Sequence, residues 1–393
     1  MIRHLLYIWK LKCDELKSIT GLCFVVCLSL MAACGNDPVP TPPSPSPVPA
    51  DSVPVLPPTP PATDDDSLTL EFAKGADISW CTQMESEGHR FYDWNNREAQ
   101  ECTVVMKSLG MNAIRLRSWV NPPGDYCGMD DLLEKARRAA GLGLDLMIDF
   151  HYSDSMATID NQSKPTAWAS HTYQELRHDV ESYTSDVLNV LKENNIPVKW
   201  IQVGNETDEG LLWPEGGIQR HPDQYAGLLS SAIQAARGVF PEVSVVVHLS
   251  RSYDQQRCKR HLDVLRQYNV DYDLIGLSLY PSEAINQSFS FQNGSPVTMR
   301  SEEDAIAYTM QNMSYLCGIY NKNALFVEVG VPVQFETRGT LLMTNIMMQA
   351  RESGICEGVF YWEPESYYGW QGYDKGAFLS NGHPTQILNA FGM

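Results

Sequence analysis

Two glutamates in the sequence have surroundings that suit acid–base chemistry on a glycosidic bond. Glu206 follows an apolar run at residues 200–203, and Glu328 is embedded in the apolar stretch 324–330. A carboxyl group in an apolar strand is unfavourable unless it is paired or functional. Glycosidic hydrolysis requires a proton donor for the leaving oxygen and a second carboxylate at the anomeric carbon. We therefore predict Glu206 as the acid/base and Glu328 as the nucleophile; a structural glutamate is the alternative for Glu328.

The residue before Glu206 also fits this chemistry. The amide of Asn205 would hydrogen-bond the 2-hydroxyl of the sugar, a contact that strengthens as the ring flattens. Asn205 to Thr207 also form an N-glycosylation sequon, which we interpret as coincidental. In a retaining arrangement the two carboxyl groups lie about 5 to 5.5 Å apart, and the ionised nucleophile raises the pKa of the donor. One acid would then stay protonated near neutral pH.

The elements that could position these residues begin at Leu68. From there, short runs rich in β-branched and aromatic residues alternate with longer segments of helical periodicity. The eight predicted strands cover residues 72–80, 113–119, 144–151, 199–205, 243–249, 274–280, 325–329 and 358–362. The predicted helices cover residues 97–109, 131–140, 173–194, 222–239, 255–268, 302–320 and 341–351. This alternation predicts a single (β/α)8 barrel over residues 68–393.

Polar and aromatic side chains gather where the predicted strands end. Those at or just beyond a strand end are His151, Asn205, Glu206, Tyr280, Glu328 and Trp362. The C-terminal ends of the strands form the catalytic face of such barrels. A doubly wound open sheet is the competing architecture, but no glycine-rich phosphate loop follows any predicted strand.

Several motifs, taken in their order along the chain, resemble glycoside hydrolase family 53. They are GADIS at 75–79, IRLRSW at 114–119, DFHYSD at 149–154, KPTAW at 164–168, VGNET at 203–207, LLWP at 211–214 and IGLSLYP at 275–281. The resemblance covers nearly the whole chain from about Leu68. Members of that family are endo-β-1,4-galactanases of a retaining barrel clan, so the resemblance implies the same fold and activity here.

The resemblance also implies roles for individual residues. It makes Glu206 the acid/base, Glu328 the nucleophile and Asn205 the partner of the sugar 2-hydroxyl. Arg117 would support Glu328, because a permanently charged guanidinium nearby would hold that carboxylate ionised. A surface or barrel-bottom arginine is the alternative for Arg117.

Other candidates would line the cleft. Asp77, His151 and Tyr280 are expected on its floor, with Asp77 contacting sugar hydroxyls, although a core role remains open for each. The candidate sugar platforms are Trp119, Trp168, Trp213 and Trp362, with Trp362 first, because the apolar face of galactose favours an aromatic ring. We expect about half of these tryptophans to contact the glycan, since a tryptophan is more often part of the core.

No cofactor is predicted to be required. Some bacterial relatives carry calcium in a longer loop after the strand of the nucleophile. Residues 331–340 contain no dense cluster of Asp and Asn, so the sequence does not indicate a metal ligand there, and a structural calcium ion is left open.

The first 67 residues predict export rather than a folded domain. Basic residues precede a short apolar stretch at 19–33, as in an export signal. Its end, LMAACG at 30–35, resembles a bacterial lipobox in which Cys34 becomes lipidated. We predict a signal peptide over 1–34 and a proline-rich linker over 35–67. The protein would be anchored by lipid in the outer membrane at the cell surface; an ordinary signal peptide and a transmembrane anchor are the alternatives.

Composition limits the partners. The net charge of −19 argues against nucleic acid, because phosphate backbones select clustered Lys and Arg. A monomer is expected. Six cysteines follow residue 67, and their even number in an exported protein suggests disulfides, but their spacing assigns no pairing: Cys81, Cys102, Cys127, Cys258, Cys317 and Cys356.

The sequence thus predicts an endo-acting hydrolase of β-1,4-galactan, including type I arabinogalactan side chains of pectin, that releases galacto-oligosaccharides. Another retaining barrel glycosidase, such as a β-mannanase or β-glucanase, would share both acids and is the first alternative. A surface lipoprotein that binds glycans without cleaving them is the second.

Overall fold

The computed structural model of the chain describes residues 71–95, 97–291 and 294–393. The predicted signal peptide over 1–34, the lipidation of Cys34 and the linker over 35–67 lie outside the described residues. Within the described part of the chain, no helix combines the length and the apolar character needed to cross a membrane.

Eight parallel strands close into a barrel, each strand pairing with its neighbours in chain order and the last with the first. The strands are β1 (Ala73–Asp77), β2 (Ala113–Ser118), β3 (Asp145–Phe150), β4 (Trp200–Val203), β5 (Ser244–Leu249), β6 (Leu274–Leu279), β7 (Asn323–Val329) and β8 (Cys356–Trp362). The predicted (β/α)8 fold is therefore confirmed. The eight predicted strands are the eight barrel strands, because buried parallel strands are nearly continuous apolar runs.

Two short helices, Cys81–Ser86 and Pro281–Ala284, follow β1 and β6 directly. Seven longer helices, one after each of the first seven strands, lie around the outside of the barrel. They are α1 (Cys102–Ser108), α2 (Met129–Gly141), α3 (Tyr173–Glu193), α4 (Pro222–Val239), α5 (Gln255–Gln267), α6 (Glu302–Tyr320) and α7 (Glu336–Glu352). The short segment Gln386–Gly392 takes the eighth position. Two short antiparallel pairs, Gly210–Leu211 with Gly216–Gly217 and Ser288–Phe291 with Ser295–Thr298, lie in the connections after β4 and β6.

Two helix boundaries differ from the prediction by more than two residues. Helix α1 begins at Cys102 rather than near Arg97, because the carboxylate of Glu101 accepts hydrogen bonds from the backbone N–H groups of Thr103 and Val104 and so caps the helix there. Helix α7 begins at Glu336, five residues before the predicted start at 341. Residues 336–340 contain no large apolar side chain, so the apolar pattern in the sequence starts only at Leu341.

The inside of the barrel changes from apolar to polar along the strands. Its lower layer is a cluster of buried side chains: Ala73, Ala113, Met147, Trp200, Val246, Leu274, Leu325, Val327 and Phe360. Because side chains alternate along a strand, the residue two positions further on faces the same side. Ala113 is thus followed by Arg115, Met147 by Asp149, Trp200 by Gln202 and Val246 by His248. The polar layer lies toward the C-terminal ends of the strands.

Strand β7 departs from this alternation in a way that matters for Glu328. Phe326 pairs with Leu277 and Glu328 with Ser278, so Val327 is an extra residue in β7. Phe326 packs in the outer apolar cluster between strands and helices, and strict alternation would place Glu328 on that same outer side. The bulge at Val327 turns the Glu328 carboxyl group into the barrel.

Candidate active site

The two predicted catalytic glutamates meet at the C-terminal face of the barrel. One carboxyl oxygen of Glu206, one of Glu328 and one ring nitrogen of His248 lie within 4.8 Å of one another. Glu206 follows β4 in the left-handed conformation, with φ of 46°, which is uncommon for a residue with a side chain. Such backbone conformations occur most often where function requires an unusual side-chain direction. The chain reverses here and aims the carboxyl group across the barrel toward Glu328.

Glu328 is buried and surrounded by groups that stabilise its charged form. The Tyr280 hydroxyl donates a 2.9 Å hydrogen bond to its Oε2, and Nη2 of Arg115 lies 3.0 Å from its Oε1. Burial raises the pKa of Glu328 to about 7, against the opposing effects of Arg115 and the Tyr280 hydroxyl. This carboxyl group therefore titrates near neutral pH.

Glu206 is partly exposed and has fewer polar contacts. The backbone N–H of Ile159 donates to its Oε2 at 3.1 Å, and the Ser278 hydroxyl lies 3.5 Å from its Oε1. Burial, and then the neighbouring charges of Glu328 and Asp208, raise the pKa of Glu206 to about 8. Arg115 and the Tyr280 hydroxyl favour the ionised form of Glu328, whereas Glu206 has no ion pair with a described residue, so the surroundings place the proton on Glu206. The pair has the unequal proton affinities that an acid and a nucleophile require.

The arginine beside Glu328 is Arg115, so the expectation that Arg117 supports Glu328 is wrong. The Arg115 guanidinium is fully buried and contacts Asp77 at 2.6 Å and Asp149 at 2.8 Å, in addition to Glu328. The carboxylates keep Arg115 charged despite its burial and raise its pKa above the usual value.

Arg117, two residues further along β2, reaches the next level of the barrel. Its Nη1 forms an ion pair with Glu363, which follows β8, and lies 3.9 Å from Asp77. The guanidinium is also held between the rings of Trp80 and Trp119, with its Cζ 5.2 and 5.1 Å from their centroids. No interaction with Glu328 is available to Arg117, because Arg115 occupies that position.

His248 is a site residue that the sequence analysis missed. Its Nδ1 is 2.9 Å from Oδ1 of Asn205, and its Nε2 is 2.7 Å from the Ser278 hydroxyl. Burial, with the nearby charge of Arg115, lowers the pKa of His248 well below its usual value, so the ring is neutral. The signal was present, since His248 is a polar residue near the end of an otherwise apolar strand.

Asn205, Asp77 and His151 are all found at the C-terminal face, where they were predicted. The Asn205 Oδ1 accepts from Arg115 at 2.9 Å, and its amide nitrogen donates one N–H to the Ala157 carbonyl, which leaves its second N–H for a ligand. His151 Nε2 is 2.9 Å from Asp149. Asp77 is fully buried, and its two oxygens contact Ser79 and Arg115. Contact of these residues with sugar stays a prediction.

The candidate tryptophans have different surroundings. Trp362 is partly exposed at the end of β8, and its ring lies 5.0 Å from that of Trp80 and 4.8 Å from that of Tyr373. Trp119 is partly exposed, and its indole N–H is buried with no hydrogen-bond partner among the described residues. Trp168 is only 7% exposed and packs against Tyr183 in the apolar core. The position of Trp168 therefore favours a core role over a platform.

A cavity of about 310 Å³ opens beside Glu206. Glu206, Ser278 and Tyr280 line it on the barrel side, and Ile159 and Arg251 are among the residues of its other walls. The cavity continues away from Glu206 toward the loops that follow β5 and β6. Space for a sugar-sized group is thus available next to the candidate acid.

The donor groups for a metal ion converge only at the acids themselves, as far as the described residues show. Glu206, His248 and Glu328 form that group, and both ring nitrogens of His248 already have hydrogen-bond partners. No group of this kind within the described part of the chain includes residues 331–340.

The six cysteines of the barrel domain, at positions 81, 102, 127, 258, 317 and 356, are all buried, and all are free thiols rather than disulfides.

The fold and the pair of acids define a barrel glycoside hydrolase, and comparison with known proteins gives the family. The model of glycosyl hydrolase family 53 matches residues 73–391. The chain therefore belongs to glycosyl hydrolase family 53, and the predicted resemblance is confirmed.

Individual relatives agree with this assignment. The chain is 32% identical over 310 residues to an uncharacterized protein in the bgaB 5′ region of Niallia circulans, covering 75% of this chain and 83% of that protein. It is 30% identical over 319 residues to arabinogalactan endo-β-1,4-galactanase A of Emericella nidulans, covering 76% and 85%. The Ignisphaera aggregans GH53 catalytic domain matches with a TM-score of 0.70 and 26% identity, covering 83% of this chain and 97% of that one.

Proposed function

We propose that the chain is a retaining endo-β-1,4-galactanase that cleaves galactan chains, including those of type I arabinogalactan attached to pectin, into galacto-oligosaccharides. The observation that carries the retaining mechanism is the approach of Glu206 and Glu328 to within 4.8 Å between oxygens. Retaining enzymes have carboxyl groups about 5 to 5.5 Å apart, whereas inverting enzymes need about 6.5 to 9.5 Å to admit a water molecule. The substrate follows from family membership and the galactanase of Emericella nidulans.

In the first step, an ionised oxygen of Glu328 attacks the anomeric carbon and the glycosidic oxygen takes the proton of Glu206. The C1–O bond to the leaving sugar breaks as the ester bond to Glu328 forms. Arg115 and Tyr280 favour the ionised form of Glu328 that this step needs. Glu206 has no ion pair with a described residue, and its raised pKa keeps it protonated for the same step.

In the second step, Glu206 is a carboxylate and accepts a proton from a water molecule that attacks the anomeric carbon. The ester bond breaks, Glu328 leaves as a carboxylate, and the product keeps the β configuration. The Asn205 amide would hold the sugar 2-hydroxyl during both steps. Trp362 and Trp119 would provide apolar surface for sugar rings.

The decisive experiment compares Glu206→Gln and Glu328→Gln with the wild type on galactan. We expect Glu328→Gln to lose nearly all turnover, and Glu206→Gln to lose about a hundred- to ten-thousandfold, the usual contribution of a general acid. Glu209→Gln, in the same turn as Glu206 but ion-paired with Arg257 and Arg260, is the matched control and should stay within about twofold. Near-normal turnover of either active-site variant would reject the assignment.

The pH profile tests the same pair. Below about pH 7 Glu328 becomes protonated and cannot attack, and above about pH 8 Glu206 loses the proton that it must donate. We expect a bell-shaped profile of kcat/KM with its maximum between these values. Proton NMR of the first product should show the β-anomer; the α-anomer would contradict a retaining mechanism.

A panel of polysaccharides separates the alternatives. A β-mannanase or β-glucanase would release reducing sugar from mannan or β-glucan and leave galactan intact. A glycan-binding lipoprotein would release none from any of them. Export and lipid anchoring through Cys34 belong to this proposal too, since a tethered enzyme with a proline-rich spacer would keep its products near the cell.

A further inference from the structure

The residues that line the cavity beside Glu206 indicate which part of a substrate the cavity receives. Its wall includes Glu206 but not Glu328. In the proposed reaction, the acid lies beside the leaving oxygen, whereas the nucleophile lies beneath the sugar that becomes bound to the enzyme. Of the two acids only Glu206 lines the cavity, although Tyr280, which donates to Glu328, lines it as well. The cavity therefore extends from the side of the acid, which is the leaving-group side. This step rests on the proposed function.

Arg251 is the cation of this cavity and is held there by its backbone. It follows β5 in the left-handed conformation, with φ of 44°. The N–H of Ser250 donates to Asp208 at 2.9 Å, and the Arg251 carbonyl accepts from the N–H of Asp254 at 2.8 Å. The turn is thus fixed on both sides of Arg251, and its partly buried side chain lines the cavity.

The guanidinium group of Arg251 is not used by the fold. It forms no side-chain hydrogen bond or ion pair with another residue in the described part of the chain, unlike the two buried arginines of β2. Its five N–H donors in a planar fork therefore remain for a ligand. The cavity also contains the carboxyl groups of Glu206, Asp160 and Glu283, of which Glu283 is paired with Lys375 at 2.8 Å. This excess of acids disfavours a uronic acid and favours a neutral sugar.

We propose that Arg251 determines specificity on the leaving-group side by donating hydrogen bonds to the vicinal 2- and 3-hydroxyls of a neutral hexosyl leaving group. A planar fork can engage two adjacent hydroxyls, and these two remain free beside a 4-linkage. The same contact holds a sugar acceptor in the second step. The C1–O bond to Glu328 then breaks, a new C1–O bond to the acceptor hydroxyl forms, and the hydroxyl proton passes to the Glu206 carboxylate. Arg251 thus favours transfer to a sugar over transfer to water.

The test uses Arg251→Asn, because asparagine tolerates the left-handed backbone and should preserve the turn. Two substrates are compared: a galactotetraose, whose leaving group carries hydroxyls, and a nitrophenyl β-1,4-galactobioside, whose leaving group carries none. We expect kcat/KM on the galactotetraose to fall about ten- to hundredfold, as for loss of charge-assisted hydrogen bonds, and that on the aryl substrate to change less than about twofold. The ratio of transfer to hydrolysis with added galactobiose should fall as well.

The matched control is Arg300→Asn, since Arg300 is also an arginine without a side-chain partner among the described residues but is exposed outside the cavity. It should leave both substrates unaffected. Arg251→Lys, which keeps the charge without the fork, should give an intermediate loss on the galactotetraose only. Equal losses on the two substrates, or no loss on the galactotetraose, would overturn the role of Arg251 while leaving the proposed function intact. Wild-type protein inactive on both substrates would overturn the proposed function and this inference together.

Discussion

Strand β2 carries two buried arginines, two residues apart on the same face, that share Asp77 but have different further partners. Arg115 contacts three carboxyl groups, from β1, β3 and β7, and one of them belongs to Glu328. Arg117 pairs with Glu363 after β8, and its Nε and Nη2 have no hydrogen-bond partner among the described residues. The guanidinium group and its burial are the same in both positions. What differs is the carboxylate that lies across the barrel from each arginine: Glu328 of β7 for Arg115, and Glu363 after β8 for Arg117.

One level of the barrel is thus suited to chemistry, while the next level is structural. At the Arg115 level, the cation faces a carboxyl group that is open to a substrate. At the Arg117 level, Glu363 and the neighbouring Glu365 are fully buried. Burial, with the charge of Glu363, raises the pKa of Glu365 well above its usual value, so Glu365 is neutral. The second network therefore supports the aromatic wall of Trp80 and Trp119 rather than the reacting atoms.

The largest difference in kcat/KM between the two levels is expected when each arginine is exchanged for lysine. Arg115→Lys should lower kcat/KM on galactan about a hundredfold or more, because the compact ammonium group lacks the planar fork whose two ends reach Asp77 on one side and Asp149 and Glu328 on the other. Arg117→Lys keeps a cation beside Glu363 but loses the stacking between Trp80 and Trp119. Because neither contact involves Glu206 or Glu328, this variant should lower kcat/KM less than about fivefold. Steady-state kinetics with thermal unfolding of both variants measures this. A larger loss of kcat/KM for Arg117→Lys than for Arg115→Lys would contradict the assignment of Arg115 to the catalytic level and Arg117 to the structural level.

A smaller effect is expected for the tyrosines of the two levels. Tyr280 donates to Glu328, whereas the Tyr373 hydroxyl donates to the main-chain carbonyl of Trp362 at 2.9 Å. The hydrogen bond of Tyr280 lowers the pKa of Glu328, so Tyr280→Phe should move the acid limb of the kcat/KM profile to higher pH. At a pH below that limb, the loss should be about tenfold, as for removal of one hydrogen bond to a charged group. Tyr373→Phe should leave the limb in place, and a shift of equal size would contradict the division of roles.

The smallest effect concerns stability, because Arg115 pairs with Glu328, whereas Glu206 has no ion pair with a described residue. The pKa of Glu206 is about 8 in the folded chain and near 4.5 when unfolded. Between these values the unfolded chain releases this proton and the folded chain keeps it, so stability falls as the pH rises through the window. Glu206→Gln lacks this pH-dependent loss. The difference in Tm between Glu206→Gln and the wild type should therefore shift in favour of the variant by a few degrees from about pH 5 to about pH 8. Glu209→Gln, which removes an ion-paired carboxylate, should show no such gain.

Much of the site could be predicted because a parallel barrel brings all its strand ends to one face. The apolar runs located the eight strands, and polar residues at their ends then had to meet. Glu206, Glu328, Asn205 and Tyr280 were found in this way. Sequence periodicity by itself determined the fold class and the face that carries the acids, since both depend on local patterns repeated along the chain.

The tertiary structure alone decided which side chains make contact. Alternation places Arg115 and Arg117 on one face and cannot say which of them reaches Glu328. Strict alternation would also have turned Glu328 outward, and only the bulge at Val327 in the pairing of β7 with β6 brings it inside. Trp168 and Trp362 were both predicted as sugar platforms. Trp168 is covered by Tyr183, whereas Trp362 is partly exposed. Register, bulges and cover depend on residues distant in sequence, and local pattern carries no information about them.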